Sequence, residues 1–295
     1  MSAFSYSEAF SRNIGWLTER EQDQLRQKRV AIAGLGGVGG SHLLTLARLG
    51  IGHFSIADFD VFDLVNFNRQ VGATVSTLGK PKAEVMASLA RDINPELDIR
   101  VFPEGGSKEN LTDFLMDVDL YLDGLDFFAF DIRRDIFAAC RKSGIPGVTV
   151  APLGMGAALL NFLPGRMSFE DYFRLAECRN ESDLALHFLI GLSPSMLQMG
   201  YLVDPSRVDF ANHKGPSTII AGQLCAGIAA AETLKILLER GKVYAAPWGV
   251  HFDGYKNAVK RTWRPGGNGN PLQRIAIAIA RKQLAKRFAE AHAEH

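Results

Sequence analysis

Arg69, Lys82 and Asp126 are the residues whose types and spacing most suggest chemistry. Arg69 stands in the polar run "NFNRQ", with Asn66, Asn68 and Gln70 around it. Lys82 falls on the first turn of a helix expected over residues 80–93. Asp126 closes an apolar run, "DLYLDGLD", that reads as a strand. Ligands of open α/β sheets bind outside the carboxyl ends of the strands, where all three can converge. Two cations and one isolated carboxylate suit ATP with Mg²⁺, because the metal and the cations together neutralise charge at phosphorus.

The residues upstream supply a nucleotide cradle. Gly34, Gly36 and Gly39 fit G-x-G-x-x-G between an apolar strand, "RVAIAG", and a helix expected over residues 38–49. Such glycines let phosphates approach backbone amides, and the helix N-terminus favours an anion. Asp58 ends the next strand, "HFSIAD", about 20 residues further on, where an acid bonds ribose hydroxyls. The motif leaves the nucleotide open. NAD has only a diphosphate to neutralise, and a nicotinamide enzyme also needs a hydride-transfer site. His42 (in a helix), His187 (in an apolar stretch), His292 and His295 (in the tail) do not suggest one. An NAD- or FAD-dependent oxidoreductase and a non-catalytic nucleotide-binding partner protein stay open as alternatives.

These residues need a scaffold, and the rest of the chain supplies one. The chain has 295 residues, 47% of them apolar and 22% charged, with a net charge of +1. That composition suits a globular chain with a sizeable core and carries no strong nucleic-acid or membrane signal. The start, "MSAFSYSEAF", does not read as a signal peptide. The most apolar stretch, "STIIAGQLCAGIAAAETLKILLERG", carries Gln223, Glu232 and Lys235, so it is expected as a buried helix. Cys140, Cys178 and Cys225 are unpaired by spacing, which points to a reducing, cytoplasmic compartment.

Strands and helices alternate up to about residue 163. This predicts an α/β fold: a Rossmann-like, doubly wound, mostly parallel sheet covered on both faces. "WGVHFDGYKNAVKRTW" reads as a hairpin turning near Gly254, which adds antiparallel C-terminal strands. Residues 164–216 are irregular. "RPGGNGNP" reads as a flexible linker, followed by an Ala-rich helix over 272–294 with Arg274, Arg281, Lys282, Lys286 and Arg287. The expected organisation is one domain over 1–265, with 164–216 as a variable insertion, then a linker and helix over 266–295.

The set "GLGGVG…DFD…NFNRQ…GKPKAE…INPE…LDGLD" resembles the ubiquitin-activating, ThiF and MoeB superfamily of adenylating enzymes, in order and spacing, from about residue 12 to 160. The last helix and hairpin match more loosely. The resemblance implies that Gly37 and its neighbours hold the nucleotide and that Asp58 binds ribose with Asp60 flanking. It implies phosphate contacts for Asn66, Arg69 and Lys82, with Gln70 supporting the loop. Asp126 would hold Mg²⁺, and Arg12, in "SRNIGW", would be donated across a homodimer. The implied reaction is attack of a carboxylate on the α-phosphate of ATP, giving an acyl-adenylate and pyrophosphate. The carboxylate is already ionised at neutral pH, so no general base is required. The implied partner is a small ubiquitin-like protein or a peptide with a free C-terminus; a small-molecule or tRNA-linked carboxylate is the alternative. The chain also departs from the family. No cysteine stands in "DFANHKGPSTII", and the paired CxxC zinc site is absent, so thioester and sulfur-carrier chemistry are not implied. Cys140 and Cys225 read as core, and Cys178 as a candidate nucleophile. The insertion reads either as a groove for an extended peptide or as a dimer contact.

Overall fold

The computed structural model describes residues 4–209 and 212–293, with side chains up to residue 282. The chain opens with two helices, α1 (Tyr6–Ala9) and α2 (Glu19–Arg26), then β1 (Arg29–Ala33), α3 (Gly39–Arg48) and β2 (His53–Ala57). It continues through α4 (Lys82–Ile93), β3 (Asp98–Phe102), α5 (Leu111–Phe114), β4 (Leu120–Asp123) and α6 (Phe130–Ser143). An antiparallel pair, β5 (Gly147–Leu153) and β6 (Gly156–Phe162), leads to α7 (Phe169–Phe173), α8 (Glu181–Leu192) and α9 (Ile219–Leu237). The last elements are β7 (Trp248–Asp253), β8 (Ala258–Trp263) and α10 (Pro271–Ala293).

Local sequence explains the boundaries. Thr18 and Glu21 form the expected capping box on α2, each satisfying a backbone donor of the other (2.8 and 3.1 Å). Gly144 ends α6 in the left-handed region (φ +69°), where a side chain would be strained.

The eight strands form one sheet in the order β3-β2-β1-β4-β5-β6-β7-β8. The first five run parallel, and β6, β7 and β8 are antiparallel. This is the expected doubly wound sheet with an antiparallel C-terminal end. β1 is buried along its whole length because both faces are covered. Val30 and Ile32 face the layer of α3, α4 and α9, while Ala31 and Ala33 face that of α6, α7 and α8. Cys140 and Cys225 lie in these two cores, as expected. By length and composition α9 could cross a membrane; here it packs against α3, β5 and β6. The strand order reverses between β1 and β4, so a crevice opens at their carboxyl ends.

The stretch "RPGGNGNP" is a correction to the sequence reading. Rather than a loose linker, it is pinned to the core. Asn268 is buried and donates to Phe173 O (2.9 Å) and His187 O (2.8 Å). α10 continues the docking: Gln273 donates to Ile190 O (3.1 Å), Ile277 is buried, and Arg281 forms a two-pronged pair with Asp183 (2.6 and 3.0 Å). Glycine and asparagine signal a turn locally, but they do not report what the turn packs against. Arg281 is therefore a docking residue, while Arg274 and Lys282 are exposed. The side chains of Lys286 and Arg287 lie outside the described residues. Replacing Asn268 with Ala removes both of these buried hydrogen bonds. Urea unfolding of Asn268→Ala should show a loss of about 1–3 kcal/mol; an unchanged midpoint would mean that the turn is not fastened.

Candidate nucleotide site

The site begins with backbones that approach too closely for side chains. Gly34 follows β1 in the left-handed region (φ +82°), and a Cβ there would lie 2.3 Å from Gly124 O. A Cβ on Gly39 would lie 1.8 Å from Gly34 O, and one on Gly124 would lie 2.4 Å from the same oxygen. β1, the start of α3 and the end of β4 are thus locked together by three glycines. Gly36 and Gly37 differ, since a Cβ at either would meet only the ends of Gln70 and Arg69, at 3.4 and 3.8 Å. These two positions form the open side of the turn, in front of the α3 N-terminus, whose dipole favours an anion.

Asp58, at the end of β2, closes one side. Its Oδ2 accepts from Leu35 N (2.6 Å) inside the glycine turn, and its Oδ1 accepts from Asp60 N (2.8 Å). Burial pushes the Asp58 carboxyl above its usual range, opposed by those two backbone donors and by Lys82. Lys82 is buried at the first position of α4, with its Nζ 2.8 Å from Asp60 Oδ2. One of its three ammonium donors is thereby used, and the group is fixed in place.

The "NFNRQ" loop closes the front. Asn66, expected as a phosphate contact, is buried and accepts from Asp63 N (2.9 Å), while its carbonyl accepts from Arg69 N and Gln70 N (3.1 and 2.9 Å). Its visible task is to shape the loop. Arg69 donates to Val65 O (2.8 Å) and Asn68 Oδ1 (3.0 Å), which directs the guanidinium beside Gly37. Asn68 in turn donates to Ser217 O (3.0 Å), tying the loop to the approach of α9. Gln70 is buried beside Gly36, and its Oε1 has no hydrogen-bond partner. The end of Gln70 nearest Gly36 is its amide nitrogen, a donor that faces the open glycine turn.

Asp126 lies across the crevice, exposed at the end of β4. Its Oδ1 accepts from Phe128 N (3.1 Å). The loop that carries it rests on Arg133 of α6, which is buried. Arg133 donates to Asp123 Oδ2 (2.9 Å), Leu125 O (2.9 Å), Asp126 O (2.7 Å) and Phe127 O (3.2 Å). Thr149 of β5 also donates to Asp123 (2.9 Å). This buried pair fixes where Asp126 stands. Sequence reading missed Gly124, Asp123, Arg133 and Thr149; the only available signals were the acid and glycine inside "LDGLD".

Arg12 stands apart. Its neighbour Asn13 donates to Leu49 O (3.4 Å), past the C-terminal end of α3. The ten residues of that helix separate it from the glycine turn by about 15 Å. Arg12 is exposed there, and the chain does not bring it into its own site. Cys178 is no activated thiol. Burial first, then the charge of Asp183, push its pKa up to about 11, against the pull of Arg281.

A parallel α/β sheet with a glycine turn at its switch point, an acid on the second strand and cations on the following loop and helix defines a class of nucleotide-binding folds. The comparisons narrow that class. The ThiF family model matches residues 10–270, so the chain belongs to the ThiF family. It is 34% identical over 132 residues to the tRNA threonylcarbamoyladenosine dehydratase of Haemophilus influenzae, covering 44% of this chain and 50% of that protein. It is 32% identical over 143 residues to the sulfur carrier protein ThiS adenylyltransferase of Escherichia coli, covering 48% and 56%. The chain thus spans about half the length of the curated relatives it matches. Among solved structures, E. coli MccB with ATP superposes with a TM-score of 0.64 at 19% identity, covering 86% of this chain and 70% of that one. That similarity supports the fold.

Arg133→Met removes the counter-charge of Asp123 and the donor to three loop carbonyls. Breaking a buried pair in this way costs about 3–5 kcal/mol. Urea unfolding should show that loss, and nucleotide affinity should fall with it. Unchanged stability would mean that Arg133 does not carry the loop.

Proposed function

We propose that this chain is an ATP-dependent adenylyltransferase that activates a carboxylate as its acyl-adenylate. The observation that carries this reading is the placement of cations around the open turn. Arg69 stands beside Gly37, Lys82 is braced by Asp60, and Asp126 lies opposite at the end of β4. A dinucleotide pyrophosphate needs only the turn. A triphosphate attacked by a second anion needs further positive charge at phosphorus; Arg69 and Lys82 supply part of it, and Asp126 is placed to hold a cation that would supply more.

In this reading the amides of the turn bind phosphate, Asp58 holds the ribose and Gln70 lines the floor. Arg69 and Lys82 draw charge off the phosphates, and Asn66 keeps Arg69 in place. The substrate carboxylate adds to the α-phosphorus, the bond to the bridging oxygen breaks, and pyrophosphate leaves with the electron pair. The work of the site is to align two anions and to screen their repulsion. Among the described residues no group of three or more His, Cys, Asp or Glu side chains could cage a metal. Mg²⁺ characteristically rests on one or two carboxylates and on substrate phosphates, and Asp126, whose Oδ1 accepts from Phe128 N while the residue stays exposed to the crevice, fits that task. When bound, the ion would neutralise phosphate charge.

The acceptor in this reading is the C-terminus of a small ubiquitin-like protein or a peptide. Two similarities support it: a relative named for adenylylating the sulfur carrier ThiS, and neighbouring structures of MccB bound to MccA. The chain works as a homodimer in the cytoplasm, and Arg12 of each copy serves the site of its partner. Its exposure, far from its own site, supports that assignment.

The test is ATP–pyrophosphate exchange with a panel of peptides ending in a free carboxylate. Arg69→Ala, Lys82→Ala and Asp126→Ala should each lower the exchange rate by about 10²–10³-fold. Variants that keep the parental rate would refute the assignment.

A further inference from the structure

The last two strands carry a surface that the nucleotide site does not use. β8 is the free edge of the sheet and is exposed along most of its length. Trp248 of β7 and Trp263 of β8 are a cross-strand pair, with ring centroids 6.1 Å apart, and they are 38% and 55% exposed. Tyr244 extends the row, 5.8 Å from Trp248. The guanidinium of Arg261 lies 5.3 Å from the Tyr244 ring centre, and the ammonium of Lys242 lies 4.9 Å from it. Arg261 also donates to the Tyr244 hydroxyl.

The charges in this row are unbalanced. Just upstream, Lys235 is paired with Glu232 and Arg240 with Glu21. Among the described residues, no carboxylate pairs with Lys242 or Arg261 (nor with Lys260, also on β8). Lysines on an edge strand can simply discourage edge-to-edge pairing. That purpose does not explain two exposed tryptophans, which would favour such pairing. The chain's net charge of +1 hides this local excess.

We propose that the row Lys242, Tyr244, Arg261, Trp248 and Trp263 binds single-stranded nucleic acid. Aromatic faces stack on bases whatever their sequence, and interleaved cations track the phosphates. The row sits at the end of β7 opposite Asp253, the residue that pairs with Gly156 at the crevice end of the sheet. It is therefore separate from the nucleotide site, and the inference does not depend on the proposed reaction.

The experiment is fluorescence anisotropy of a labelled single-stranded RNA of about 16 nucleotides, titrated with the full chain at several salt concentrations. Binding should weaken as salt rises. Trp263→Ala and Arg261→Gln should each raise Kd about tenfold. Arg261→Gln should also reduce the slope of log K against log salt by about 0.7, while Trp263→Ala leaves it unchanged. Arg274→Gln, a cation outside the row, should leave Kd as it is. Circular dichroism confirms that the variants fold. Three results would overturn the proposal: no RNA bound at low salt, equal effects of Arg274→Gln and Arg261→Gln with none from Trp263→Ala, or a row whose substitution changes only the sedimentation of the chain, which would make it a contact between copies.

Discussion

Three missing side chains make the crevice possible. Gly34, Gly39 and Gly124 bring β1, α3 and β4 so close that a methyl group on any of them would overlap a backbone oxygen. This contact joins the two halves of the sheet at the strand-order reversal. It points the first amides of α3 into the crevice and sets the distance from the turn to Asp126. A fourth glycine, Gly222, extends the same constraint. A Cβ there would lie 2.9 Å from Gly37 O, so α9 can close over the turn only without one.

Around that contact the polar groups are arranged in supports and working ends. Asp60 braces Lys82, Asn66 and Asn68 brace the Arg69 loop, and Arg133 braces the Asp126 loop. A buried ion pair such as Asp123–Arg133 gains little net stability, because desolvation offsets the attraction. Its effect is positional: one guanidinium gathers Asp123 and three loop carbonyls into a fixed geometry. A site meant to hold a triphosphate against an incoming anion benefits from donors already in place, since they need no rearrangement during the reaction.

Much of this was legible in the sequence because it is local. The glycine turn, Asp58, the first-turn position of Lys82 and the strand end carrying Asp126 are each set within a few residues. What could not be read depends on contacts between distant segments. Gly124 matters because Gly34 lies against it, and Arg133 because a loop folds back onto it. The family resemblance implies a phosphate contact for Asn66; what sequence could not show is that its Oδ1 accepts from Asp63 N and so caps the turn. The stretch around Asn268 has linker composition, yet α7 and α8 supply its partners from far upstream. Arg12, expected at the site, lies beside the C-terminal end of α3, away from the glycine turn.

Calorimetric titration with ATP plus Mg²⁺ and, separately, with NAD⁺ would test whether this cradle is built for a triphosphate. Heat is expected from ATP, dependent on Mg²⁺, weakened in Arg69→Ala and Asp126→Ala, with none from NAD⁺. Binding of NAD⁺ in place of ATP, indifferent to both substitutions, would contradict the reading of Arg69, Lys82 and Asp126 given above.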